Sequence, residues 1–141
     1  MTTTALPHFL LALATAPERG VVLAVGRSVS TVEDEVLRPV ADHVQVKRPR
    51  GGLVEVLGCK VYLHGADDPR SENRLRGMAV DLVYLTDLDY LPDHLVTLCR
   101  SRLLRPGGRV VMCQRDRELG SQVWNGAKQS GKSGQFVERQ A

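Results

Sequence analysis

The 141-residue sequence is poor in cysteine and in aromatic side chains, and it has no long apolar run. Its cysteines, Cys59, Cys99 and Cys113, are odd in number and show no C-x-x-C spacing. That excludes a disulfide scaffold or a thiolate zinc site and fits a reducing compartment, with each thiol reading as a small buried hydrophobe. Aromatic residues are 4% of the chain, so a core must be built from Val, Leu and Ala. The longest apolar stretch, Phe9 to Ala16, is too short to span a bilayer, and the start lacks the basic region of a secretory signal. A soluble, cytoplasmic protein is the expectation. His8, His43, His64 and His94 are scattered without ligand spacing.

What is present is ordinary for one globular domain: 43% hydrophobic and 25% charged residues, with a net charge of +3. The charge is unevenly placed. From Arg100 onward nine Lys/Arg face three Asp/Glu, so this part carries +6 and the first 99 residues carry −3. A basic segment suits a polyanion such as DNA or nucleotide phosphate, or a solvated surface.

Periodicity gives an alternation of helices and strands. Ala5 to Ala16 reads as a helix with Pro7 in its first turn, ended by Pro17 and Gly20. The run VVLAVG after Gly20 has the length and composition of a strand buried on both faces. Ser30 with Glu33 reads as a capping box ahead of a helix carrying Val32, Val36, Leu37 and Val40. Arg48 to Gly52 reads as a turn, and Val54 to Leu57 with Lys60 to Leu63 as a hairpin around Gly58. Asp67 to Arg76 reads as a charged loop. Ala79 to Leu85 is a second buried strand, Pro92 opens a helix, Arg105 to Gly108 stops it, and Arg109 to Cys113 is a further strand. The pattern predicts an α/β fold of three layers, a mainly parallel sheet with flanking helices. Residues 1–115 form that domain, and residues 116–141 form a polar Gly/Ser/Gln-rich segment.

An ordered series of segments from Val21 to Asp116 resembles the ATPase domain of phage terminase large subunits. It comprises a strand ending in VGRS, then VSTVEDEVLRPV, LGCKVYLHGADDPRSENRLRG, a strand leading to a polar turn and LP, and CRSRLLRPGGRVVM. GADDPRSENRLRG is the most specific of these, because packing alone does not demand polar loop residues in that order. The resemblance implies a P-loop NTPase-like fold of the RecA/ASCE type, ATP and Mg²⁺ as cofactors, and viral DNA, portal and small terminase as partners. It also implies a homo-oligomeric ring and the host cytoplasm as location. It casts Arg74 and Arg76 as candidate arginine fingers, with a salt bridge to Asp67, Asp68 or Glu72 as the structural alternative. Arg27 is placed to contact phosphate or to cap the strand end.

Several positions depart from the family pattern. A Walker B strand delivers an Asp for Mg²⁺ and then a Glu for water. Here Thr86 and Asp87 occupy those places, or, one residue shifted, Asp87 is the metal ligand and Leu88 takes the Glu position. Met112 to Arg115 stands where the family has a TTNP-like coupling run. The family's phosphate loop precedes the helix matched by the start of this chain. A G-x-x-x-x-G-K-[ST] match instead falls at Gly126 to Ser133, with eight residues after it. In that motif Gly126 and Gly131 would let backbone N–H groups wrap phosphates, Lys132 would meet the β/γ-phosphates, and the Ser133 hydroxyl would join Asp87 on the metal. The preceding SQVWN reads as a short strand and the following GQFVERQ as a helical turn. A circularly permuted arrangement, a rearranged protein without turnover, and a coincidental match in a polar tail all remain open. So do three functions: a packaging-type ATPase, a non-catalytic interaction protein on the same fold, and a methyltransferase of the S-adenosylmethionine type suggested by LLRPGGRVVM.

Overall fold

A computed structural model of the protein describes residues 7–50, 53–68, 72–101, 103–114, 117–124 and 136–139. The elements in chain order are α1 (His8–Leu13), β1 (Val21–Gly26), α2 (Val29–Val32), a π-helical turn (Glu33–Leu37), α3 (Arg38–Ala41), β2 (Val46–Arg50), β3 (Leu53–Val56) and β4 (Cys59–Gly65). There follow α4 (Glu72–Leu75), β5 (Val80–Leu85), a 3₁₀ turn (Leu88–Tyr90), α5 (Asp93–Ser101), β6 (Leu104–Gln114), β7 (Arg117–Trp124) and β8 (Phe136–Arg139).

The strands form one sheet in the order β2-β3-β4-β1-β5-β6-β7-β8. The four central strands, β4, β1, β5 and β6, run parallel, and the outer pairs on each side are antiparallel. Continuous apolar strands such as VVLAVG and VDLVYL belong in this centre because both of their faces are covered. Alternate residues point to opposite faces. Val22, Ala24, Leu82, Tyr84, Val111 and Cys113 pack with α1, α2 and α3 on one side. Leu23, Val25, Val83, Leu85 and Val110 pack with α4 and α5 on the other. The result is the three-layer α/β arrangement that the sequence pattern predicts. Phe9 of α1 meets Tyr84 of β5 edge to face, with ring centroids 4.9 Å apart. All three cysteines are buried and unbridged.

Local differences from the sequence reading have physical causes. The helix after β1 is capped by Ser28, not Ser30: the Ser28 hydroxyl accepts from the Thr31 N–H at 3.1 Å. This helix widens into a π turn where the Arg38 N–H bonds to the Glu33 carbonyl. Pro39, which has no N–H to offer the Glu35 carbonyl, follows at once. The stretch around Arg48 begins as strand β2, not a turn, and Pro49 is tolerated because β2 is the edge of the sheet. The hairpin at Gly58 is a two-residue loop in which Leu57 (φ 52°) and Gly58 (φ 81°) are both left-handed, as a type I′ turn requires. The charged loop contains one helical turn, α4. The Arg105–Gly108 run does not stop before the last central strand. It is a bulge inside β6, where Val80 pairs with Leu104 and Leu82 with Arg109.

Beyond residue 116 the described part is strand. β7 pairs antiparallel with β6, and Phe136–Arg139, read from sequence as a helical turn, is β8 paired antiparallel with β7. Both extend the one sheet, so the division at 115/116 falls between two neighbouring strands. Gly126 to Ser133 lie outside the described residues.

Candidate functional site

β1 and β5 are adjacent parallel strands, and the chain leaves their carboxyl ends in opposite directions. After β1 it passes to the α2–α3 layer and on to β4; after β5 it passes to the α5 layer and on to β6. Such a topological switch point leaves a crevice between the two tips, the usual ligand position in open α/β sheets. The residues that meet across these tips are Gly26, beside Thr86 and Asp87, and Arg27, over Tyr90.

Two glycines shape its floor. A Cβ on Gly26 would lie 2.6 Å from Val32 Cγ2. One on Gly65 would lie 2.7 Å from the Val29 nitrogen and 2.8 Å from Ser28 Cα, so only glycine lets the helix start this close to β4. The ladder continues beyond the strands: Ala66 N–H bonds to the Gly26 carbonyl (2.9 Å), Asp67 N–H to the Arg27 carbonyl (3.2 Å), and Thr86 N–H to the Val25 carbonyl (2.9 Å). The loops after β1, β4 and β5 are therefore held side by side.

Thr86 is buried, and its methyl group lies 3.2 Å from where a Gly26 Cβ would be. The chain then turns at Asp87, which is left-handed (φ 56°, ψ 48°), an uncommon state for a residue other than glycine. The turn is fixed by the Tyr90 N–H donating to the Asp87 carbonyl at 2.9 Å. Asp87 Oδ2 is buried and accepts no hydrogen bond among the described residues. Asp87 as a whole is half-buried, and a carboxylate oxygen left without a partner is open to a cation or a donor. Across the crevice, the Arg27 guanidinium lies over the Tyr90 ring at 5.0 Å and donates to Thr31 Oγ1 at 3.4 Å.

The arginines of α4 are placed differently. Arg76 lies 3.9 Å from Glu72 in an exposed i, i+4 pair, one of the salt bridges open to it. Arg74 lines a cavity of about 570 Å³ with Val21, Leu53, Tyr62 and Met78 on the α4/α5 face. Neither guanidinium bonds to Asp87 among the described residues. His94 is paired to Glu72 at 3.0 Å. His64, near the tip of β4, is buried. Burial pushes its pKa below 6.5, Arg74 adds to that, and Glu72, Asp68 and Asp67 oppose it. The Cys99 thiol is pushed up to about 12, mainly by burial and secondarily by Glu72. Among the described residues no group of three or more His, Cys, Asp or Glu is gathered for a metal. Asp87 alone fits the sparse protein ligation of Mg²⁺, which takes one or two carboxylates and completes its shell with water and phosphate.

Gly126, Gly131, Lys132 and Ser133 lie outside the described residues. The strand before them, β7, is described: Val123 pairs with Arg109 and Arg117 with Gln114, so β7 ends at the edge of the sheet opposite Asp87. Tyr90 was not singled out by the sequence reading. Its signal was an aromatic residue one turn after the acidic strand end, and only the fold shows that it faces Arg27.

The fold and the crevice define the chain as a three-layer α/β protein with a parallel centre to its sheet. No protein-family model matches it, and no curated protein matches it in sequence. Among solved structures it is similar to the large terminase of a thermophilic bacteriophage, with TM-score 0.59 and 16% identity over 76% of this chain. The ADP complex of that phage protein gives the same values, and its ATP-γ-S complex gives 0.58 with 13% identity over 77% of this chain. The match covers 28% of the phage terminase chain, so the likeness is one of fold over part of a larger protein. No helix among the described residues is long and apolar enough to cross a membrane.

Proposed function

We propose that this chain is a terminase-like module of viral DNA packaging that binds a magnesium–nucleotide in the β1/β5 crevice and turns it over slowly or not at all. The observation that carries the reading is Asp87. It is held in a left-handed turn just past the tip of the central apolar strand β5, with one carboxylate oxygen buried and without a partner among the described residues. A left-handed backbone and a carboxylate oxygen without a partner at one residue point to a ligand-facing role. The thermophilic phage terminase, which shares the fold, has been captured with ADP and with ATP-γ-S.

In this reading Asp87 holds the ion, which supplies charge neutralisation to the phosphates. Arg27 supplies positive charge at the crevice mouth, and the excess of Lys and Arg in the sequence from Arg100 onward suits a polyanion such as DNA. Weak turnover follows from Leu88: the residue after Asp87 has no carboxylate to orient water. Gly126 to Ser133 are left out of this site, because the strands that bracket them, β7 and β8, pair at Trp124 and Phe136 on the edge of the sheet opposite Asp87. Calorimetry with ATP and Mg²⁺ tests the core of it. Micromolar binding that falls at least tenfold in Asp87→Asn is expected, and the absence of any binding heat would remove the nucleotide. A phosphate-release assay with and without DNA then measures turnover. Lys132→Ala in the same titration is expected to leave the affinity unchanged, and a loss matching that of Asp87→Asn would bring the C-terminal motif into the site.

A non-catalytic partner of a packaging motor is the second reading. Leu88 favours it, as does the placement of Arg74 and Arg76 outside the crevice walls. It predicts neither binding heat nor phosphate release.

A further inference from the structure

Tyr90 is 60% exposed. An exposed tyrosine is usually free to swing, but this one is held. Its backbone is locked by the bond to Asp87, and the Arg27 guanidinium lies over its ring at 5.0 Å. The guanidinium is itself tied to Thr31. Val29, 43% exposed, opens the helix two residues after Arg27 and adds apolar surface at the mouth. A flat aromatic, a planar cation and an apolar rim beside a buried, unpaired carboxylate oxygen make a surface that takes a flat aromatic ligand bearing phosphate.

We propose that Tyr90 and Arg27 form the base-stacking platform of the crevice and hold the nucleobase of a metal-chelated mononucleotide whose phosphates face Asp87. This rests on the nucleotide reading given above and assigns the part of the ligand that the reading leaves open. Charge selects the mononucleotide over a nucleic-acid strand. In sequence, the loops after β1, β4, β5 and β6 carry Asp67, Asp68, Asp87, Asp89 and Asp116 against Arg27, Arg70 and Arg115, a net negative charge. They repel a bare polyanion but accept a nucleotide that arrives with its divalent ion.

The test compares Mg–ATP with Mg–tripolyphosphate, which has the phosphates without the base, by calorimetry on the full chain. The variants are Tyr90→Leu, Tyr90→Phe and Asp87→Asn, each checked by its melting curve. Wild type is expected to bind ATP about tenfold more tightly than tripolyphosphate, the scale of one base stack on an aromatic ring. Tyr90→Leu should erase that difference and leave tripolyphosphate unchanged, Tyr90→Phe should keep it, and Asp87→Asn should weaken both probes. Equal affinity of wild type for the two probes, or Tyr90→Leu within twofold of wild type for ATP, overturns the platform and leaves the nucleotide reading standing. Binding of neither probe overturns both. Tyr90-dependent binding of a short oligothymidylate without ATP binding overturns the mononucleotide assignment.

Discussion

Asp81 and Asp87 stand at opposite ends of the same central strand and are treated in opposite ways. Asp81, at the amino edge, accepts the Val21 N–H at 2.9 Å and pairs with Arg105 at 3.2 Å. It ties β5 to β1 and to the bulge of β6. Asp87, at the carboxyl edge, has a buried oxygen with no partner and a backbone in a rare conformation. One aspartate is spent on the fold and the other is kept from it. This asymmetry is what separates a structural carboxylate from a candidate ligand-binding one when both lie on one strand.

The sharpest way to break the comparison is Asp81→Ala. Losing a charged acceptor that serves a backbone N–H and a guanidinium should lower stability by about 2 kcal/mol, read by urea denaturation, with nucleotide affinity unchanged. Gly65→Ala tests the packing under the crevice. The added methyl meets backbone atoms of Ser28 and Val29, so a loss of about 1–3 kcal/mol is expected. His64 sharpens the electrostatic side. Its pKa is lowered in the folded protein, so the unfolded chain binds more protons as pH falls below 6.5, and stability should decline from there towards its folded pKa. Melting curves between pH 7.5 and 5.5, with values set about that ordinary pKa, should be flatter in His64→Leu. The smallest change belongs to Asp87→Asn. Asn accepts the left-handed turn and keeps the shape of the side chain, so stability should stay within about 0.5 kcal/mol of wild type. A loss as large as that of Asp81→Ala would mean that both carboxylates are structural. As a control on burial, the Cys99 thiol should resist alkylation below pH 9 until the protein unfolds.

What could be read from the sequence follows from where burial is uniform. β1 and β5 are legible because a strand covered on both faces is a continuous apolar run, and the β3–β4 hairpin because Gly58 punctuates it. β2 was hidden by Arg48 to Gly52, whose Pro and Gly look like a turn; only an edge position lets Pro49 sit in a strand. β7 is half legible, since SQVWN reads as a short strand while Arg117 to Gly120 carry no strand signal, and β8 is hidden because an edge strand needs no continuous apolar run and its residues read as a helical turn. The helix cap was misplaced by two residues since Ser28 and Ser30 are equally good caps and tertiary contact chooses between them. For the site, Asp87 was reached through its place after an apolar strand, which is a sequence property. The pairing of Arg27 with Tyr90 spans 63 positions and depends on β1 and β5 being neighbours, which no local pattern encodes.

The opposite exits of the chain from β1 and β5 have a mechanical consequence. Whatever lodges between these tips touches a segment that belongs to the α2–α3 layer and another that belongs to the α5 layer. A bound guest would thus act as a rivet through the sheet, and its grip would be felt on both flanks at once. Amide exchange should slow together in Val29–Ala41 and in Asp93–Ser101, and the melting temperature should climb with ligand concentration.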